Sequence, residues 1–307
     1  MQILVMILYF SFTYYEEANE VYNCKMLDKI FLILKILRVR DWLKNIVILF
    51  PIVFSGKIIT FNIDQYIELI INFINFSLLT STIYIFNDIN DKQEDALNQY
   101  KKTRPIASGQ ISTSFAFATI AFLFFVIFSN FLIFDLNFLE FYFFYIFNNI
   151  LYNFYLKKIN ILNSLTIGVG FLIRLYFGGG LYNIRLEPWL ISLVFLGAFS
   201  LSLIKKLSDK KESNEVEGLL IQDNMFINLS FVSMVLIYIL HFYISVEFTI
   251  LNQLISISLF SISLFLIKVN IKKIKHSVDT IQILTNDINF LFILFLWFSH
   301  YYFCRYL

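Results

Sequence analysis

The stretch IYIFNDINDKQEDALNQYKKTRPIASG, residues 83–109, gathers acids and then bases within a short length of chain. Asp88, Asp91, Glu94 and Asp95 fall within eight residues, and Lys101, Lys102 and Arg104 follow. Asp88, Asp91 and Asp95 stand at i, i+3 and i+7, so on a helix they share one face. Like charges on one face repel unless a cation sits among them. Hard oxygen donors of this kind suit Mg²⁺, which binds through one or two carboxylates plus the phosphate oxygens of a substrate. Asn87 adds an amide oxygen, and the bases supply cations for phosphate. Acids and bases together make a site for a Mg-diphosphate. The plain alternative for the same residues is a solvated, acidic helix end.

Other positions could do related chemistry. In RVRDWLKN, residues 38–45, Trp42 suits a membrane interface, and Lys44 and Asn45 are candidates to contact a lipid phosphate. In YNFYLKKINILNS, residues 152–164, Lys157 can reach a phosphate with Tyr152 as a hydroxyl donor; positive anchors at a membrane surface have the same composition. Arg174 lies inside the apolar run GFLIRLYFGGG. An intramembrane Arg costs at least about 2.5–3.5 kcal/mol, so it faces a polar cavity, as an anion ligand, or makes a structural ion pair within the bundle. In LSLIKKLSDKKESNE, Lys205 is a candidate for phosphate and Asp209 for metal or a ribose hydroxyl, with a solvated loop as the alternative. Gly178, Gly179 and Gly180 can let helices approach closely or break the span. Cys24, Cys304 and the three histidines match no metal or redox spacing.

These groups must be held by elements suited to a bilayer. Of 307 residues, 59% are hydrophobic and 15% charged, against about 25% charged in soluble domains, and the mean hydropathy is +0.73. A soluble fold cannot cover so much apolar surface. A spanning helix needs about 20 apolar residues, and nine candidates are found near 45–62, 66–86, 111–134, 138–156, 160–181, 188–204, 225–245, 248–268 and 288–305. With the N-terminus in the cytoplasm, 20 of the 24 Lys and Arg residues fall on cytoplasmic segments and span ends, and 3 fall outside. That asymmetry is what the positive-inside rule requires of a correct helix count. The basic segments therefore express membrane topology rather than nucleic-acid binding. The expected protein is all-α and integral to the plasma (inner) membrane, with 26–307 as one transmembrane domain. Residues 1–25 stand apart as an N-terminal extension. MQILVMILYFSF is too short to span and lacks a signal-peptide pattern, whereas Met26 opens an amphipathic, basic segment. Translation starting at Met26 is the expectation.

NDINDKQED resembles the N-D-x-x-D-x-x-x-D motif of the UbiA-type membrane prenyltransferase superfamily. Within it, RVRDWLKN, KKTRPIASGQIS, YNFYLKKINILNS, IGVGFLIRLYFGG, WLISLVFLGAFSLSLIKKLSD and TIQILTNDINFLFILFLW look most like the decaprenyl-phosphate phosphoribosyltransferase branch, over about residues 30–300. The resemblance implies a nine-helix UbiA-type bundle with a cytoplasm-facing active-site cavity. It implies Mg²⁺ held by Asn87, Asp88, Asp91 and Asp95, phosphoribosyl pyrophosphate as donor and a polyprenyl phosphate as acceptor, in the synthesis of cell-envelope glycan precursors. The second motif of aromatic prenyltransferases is D-x-x-x-D; here the stretch is IKKLSD, closer to the G-K-R-x-x-E of the phosphoribosyl branch. It departs from that pattern at Ile204, Lys206 and Asp209, and Asn98 and Gln99 stand where the branch has His-Pro. Transfer of a prenyl group from its diphosphate is the rival enzyme reading. A non-catalytic transporter or partner subunit is the rival from another class. Oligomeric state is not readable from the sequence.

Overall fold

The computed structural model describes residues 25–134, 136–157, 159–212, 217–244, 248–273, 284–285 and 287–306. The N-terminal extension lies, but for residue 25, outside the described residues, and the expected start at Met26 is untouched by them. In chain order the α-helices are α1 (Lys25–Ile36), α2 (Phe50–Phe54), α3 (Ile63–Asn90), α4 (Lys92–Leu97), α5 (Thr113–Ile133), α6 (Leu139–Leu151), α7 (Asn160–Leu181), α8 (Pro188–Glu212), α9 (Glu217–Ile244), α10 (Ile250–Lys273) and α11 (Ile288–Tyr306). Among the described residues there is no strand. Local chemistry marks several helix ends. Ser112 caps α5 by accepting from the Phe115 amide at 3.2 Å, and Asp287 caps α11 by accepting from the Asn289 amide at 2.9 Å.

Among the described residues, six helices are long and apolar enough to cross a membrane: Ile63–Asn90, Thr113–Ile133, Ile161–Leu181, Pro188–Asp209, Gln222–Ile244 and Ile250–Ile271. Each coincides with an expected span. The remaining three expected spans differ from that description in specific ways. Residues 45–62 do not form one long α-helix: a 3₁₀ stretch, Val39–Leu49, leads into the five-residue α2 and then a short 3₁₀ turn, Lys57–Thr60. Pro51 has no N–H to bond back into the preceding turn, and Gly56, at φ +73°, leaves the helical path. Residues 138–156 run as α6 followed by a π turn, Tyr152–Leu156. In α11, a polar end from His300 to Arg305 lowers the apolarity of an otherwise continuous helix.

The chain divides into two compact units. The first comprises Met1–Ile46 and Ile63–Tyr142. Its central element is α3, whose apolar window is 61% buried, against 17% for α5. Phe115, Phe122, Phe125 and Phe128 of α5 turn outward, as a helix in lipid allows. Ile36, Ile85, Ile106, Ile111 and Ala116 form the packed core beside the acidic segment.

The second unit comprises Val47–Asn62 and Phe143–Leu307. Here α7 to α11 pack as successive neighbours around Leu175, Leu203, Tyr238, Trp297 and Tyr301. Gly178 is a point of direct backbone approach: a Cβ there would stand 1.9 Å from the Ile48 carbonyl oxygen. A polar ring closes one end of this unit. Arg305 donates to Glu187 at 2.7 Å and to the Tyr301 hydroxyl at 2.6 Å. The Trp189 indole N–H donates to the same Glu187 carboxylate. His241 stacks on Trp189 with ring centroids 4.6 Å apart and lies 3.2 Å from the Tyr301 hydroxyl.

Candidate active site

The acidic motif belongs to the first unit. Asp88 lies in the last turn of α3 and Asp95 in α4, with 5% and 2% exposure. Asp91 stands between the two helices at φ −87°, ψ 3°. The chain still turns helically, because the Asp91 amide donates to the Asn87 carbonyl and the Asp95 amide to the Asp91 carbonyl, both at 2.8 Å. The helix nevertheless breaks at Asp91, with α3 ending at Asn90 and α4 beginning at Lys92.

Two buried carboxylates cannot stay ionised without partners, and the structure supplies cations. Arg104 Nη1 donates to Asp88 Oδ1 at 3.1 Å and to Asp95 Oδ2 at 2.6 Å, bridging the two acids. Lys101 Nζ lies 3.8 Å from Asp95 Oδ1. Arg38 approaches from the turn after α1, with Nε on Asp88 Oδ2 at 3.1 Å and Nη2 on Oδ1. This two-pronged contact is the strong geometry for a guanidinium. Burial alone would lower the Arg38 pKa, but the neighbouring Asp88 and Asp41 charges outweigh it and raise it.

The Arg38 turn is built rather than incidental. Its backbone sits at φ +49°, a conformation that costs an L-residue about 1–2 kcal/mol. Leu37 offers its carbonyl to the Ser81 hydroxyl at 2.7 Å, and the Trp42 indole donates to the same hydroxyl at 2.9 Å. Asn45 is fully buried and donates to Ser77 and Thr80 at 2.9 and 3.3 Å. These bonds lock the segment onto α3. Lys44 pairs with Asp41 at 2.5 Å and lies 5.6 Å from the Tyr84 ring. Lys102 is exposed.

Thus Asp88, Asp95, Lys101 and Arg104 are brought together as the spacing predicts, and Arg38 and Asp41 join them unannounced. Among the described residues no group of three or more His, Cys, Asp or Glu side chains is gathered to hold a metal. The helix breaks at Asp91, and arginines contact the other two acids of the expected set, Asp88 and Asp95. The donor chemistry still fits Mg²⁺, because two carboxylates already converge on one cationic centre at Arg104.

The remaining candidates lie in the second unit. Arg174 is 4% exposed. It donates to the Gly170 carbonyl at 2.8 Å and the Tyr145 hydroxyl at 2.7 Å, with the Tyr145 ring 4.6 Å from its guanidinium carbon. Tyr152 opens the π turn and accepts from the Lys157 amide at 2.8 Å. Lys205 and Asp209 lie near the end of α8, Lys205 half-buried and Asp209 exposed.

The sequence model of the UbiA prenyltransferase family matches residues 49–277. A protein of Sinorhizobium fredii, carrying only the label y4nM, is 29% identical over 191 residues, 60% of this chain and 37% of that protein. The decaprenyl-phosphate phosphoribosyltransferase of Mycolicibacterium smegmatis is 28% identical over 181 residues, 58% of this chain and 56% of the enzyme. That of Corynebacterium glutamicum is 28% identical over 178 residues, 57% of this chain and 54% of the enzyme. The chain thus spans about half the length, or less, of these curated relatives. A solved structure of digeranylgeranylglyceryl phosphate synthase superposes with a TM-score of 0.60 at 18% identity, covering 91% of this chain and 99% of that one. At that identity the likeness speaks for the fold.

Proposed function

The chain belongs to the UbiA prenyltransferase family, and on that premise we propose that it transfers 5-phosphoribose from phosphoribosyl pyrophosphate to a polyprenyl phosphate. In this reading it is a plasma-membrane enzyme of cell-envelope glycan precursor synthesis. It has nine spans, its N-terminus in the cytoplasm and a cavity opening on that side. The observation that carries the choice of donor is the stretch IKKLSD near the end of α8. Lys205 and Lys206 stand in it with a single acid, Asp209, where a prenyl-diphosphate site calls for the paired carboxylates of D-x-x-x-D. The names of the mycobacterial and corynebacterial relatives support the same choice.

The reaction needs no protein nucleophile. The bond from ribose C1 to diphosphate breaks, and the diphosphate leaves with the electron pair. Positive charge develops on the sugar, and an oxygen of the anionic lipid phosphate bonds to C1. The protein's task is to hold two polyanions together and to meet the developing charge with preorganised groups. Asp88 and Asp95, with Asn87 and Asp91, would hold Mg²⁺, which would neutralise the leaving diphosphate. Lys101, Lys102 and Arg104 bind the donor's phosphates. Lys44, on a segment fixed by Asn45, and Tyr152, Lys157, Arg174, Lys205 and Asp209 serve the remaining anions and the ribose.

Full-length protein in nanodiscs is given Mg²⁺, phosphoribosyl pyrophosphate and a polyprenyl phosphate, and polyprenyl-phosphoryl-5-phosphoribose is sought by mass spectrometry. The expected product disappears with EDTA and in Asp91→Asn. The family's namesake activity favours a second reading, prenyl transfer; consumption of prenyl diphosphate in a parallel reaction, with no ribosylated lipid, would move the function there. Silence in both reactions would favour a transporter or partner subunit.

A further inference from the structure

Every oxygen of the Asp88 and Asp95 carboxylates faces a cationic side chain. Arg38 takes both oxygens of Asp88, Arg104 takes one from each acid, and Lys101 lies 3.8 Å from the last. A divalent cation that used these acids would have to displace at least one guanidinium. A guanidinium leaving a buried carboxylate needs another anion close by, because an uncompensated charge there is strongly unfavourable. The diphosphate of a donor is such an anion, and a planar guanidinium can take two of its oxygens in a two-pronged contact.

We propose that Arg38, with Arg104, is the resident counter-ion of the acidic motif, so that divalent metal and diphosphate bind productively only together. This rests on the metal–diphosphate reading of the site and names its regulation. The exchange needs side-chain movement alone. The Arg38 backbone is held by the bonds from Trp42 to Ser81 and from Ser81 to the Leu37 carbonyl. The Tyr84 ring, 5.2 Å from the Arg38 guanidinium carbon, gives the displaced cation an aromatic face. Coupling of two ligands is reciprocal: the factor by which diphosphate raises metal affinity is the factor by which metal raises diphosphate affinity.

The test uses full-length protein in nanodiscs and two binding measurements, neither of which depends on turnover. Mn²⁺ alone is titrated by electron paramagnetic resonance, and retention of radiolabelled inorganic diphosphate is measured with and without Mg²⁺. Wild type binds bare Mn²⁺ weakly, and Mg²⁺ raises its diphosphate affinity by about tenfold or more, within the usual range of coupling. Arg38→Gln binds bare Mn²⁺ about fivefold or more tighter and shows a smaller gain for diphosphate. Arg38→Lys keeps the charge and stays close to wild type in its refusal of bare metal; a purely structural Arg38 would make both variants alike. Arg104→Gln gives the same answer independently if Arg38→Gln folds poorly. Equal Mn²⁺ affinity in wild type and both glutamine variants, with an unchanged diphosphate gain, overturns the proposal while leaving the metal site standing. No binding of metal or diphosphate under any condition overturns the underlying reading as well.

Discussion

The guanidinium of Arg38 grips both carboxylate oxygens of Asp88 across 50 residues of chain. It does so from a left-handed turn that Trp42 and Ser81 hold in place. A strained backbone carrying a charged side chain to one buried acid marks the centre of the candidate site.

Asp88→Asn should reduce product formation by about a hundredfold or more, the scale on which losing one preorganised charge acts. It removes the anion shared by Arg38 and Arg104. The mass-spectrometric product assay measures this, and a variant within threefold of wild type would remove Asp88 from the site.

Tyr145→Phe should destabilise the second unit by about 1.5–3 kcal/mol, because it removes the 2.7 Å bond to the buried Arg174 guanidinium. Thermal unfolding in a fixed detergent reads the change. An unaltered transition would mean that the hydroxyl does not hold Arg174.

Gly178→Ala should be among the most damaging single-methyl changes in the chain, costing about 3 kcal/mol or more. The new Cβ would fall 1.9 Å from a backbone oxygen that no rotamer change can move. Gly109→Ala provides the contrast, since nothing lies within 4 Å and only its φ of +77° opposes a side chain. Yields of folded protein from size-exclusion chromatography should separate the two.

Acid should loosen the polar ring of the second unit. Burial on its own would raise the Glu187 pKa, but the bonds from Arg305 and Trp189 outweigh it and hold the carboxyl below its ordinary 4.5. The folded value lies below the unfolded one, so this contribution is complete above about pH 4.5 and fades as pH falls through the lower folded value. Melting temperatures between pH 7 and pH 3 should therefore show a steeper acid decline for wild type than for Glu187→Gln. Parallel curves would exclude Glu187 as the cause.

The long apolar helices were legible in the sequence because lipid demands unbroken runs, and α3, α5 and α7 to α10 follow those runs closely. The meeting of Asp88, Asp95, Lys101 and Arg104 was legible too, since all four lie within one short segment. Arg38 was not. Its partner is 50 residues away, and no local pattern distinguishes it from Arg40, two positions along the same basic stretch. Only the requirement that a buried carboxylate find a cation could have pointed to it, and the burial of Asp88 is a tertiary fact. The break at Asp91 and the 3₁₀ stretch before α2 escaped for a related reason: hydropathy reports where apolar side chains lie, not which hydrogen bonds the backbone beneath them makes. Glu187 and Arg305, 118 residues apart, looked like ordinary polar ends of neighbouring spans.

The contact at Gly178 has a consequence for how this architecture tolerates divergence. Where α7 meets the segment around Ile48, the spacing is set by main-chain atoms, and main-chain atoms are common to every sequence. Side chains around that joint can drift freely so long as they remain apolar, while one position is confined to hydrogen. A fold pinned in this way can persist through deep sequence change, carrying its shape into relatives whose chemistry has moved elsewhere.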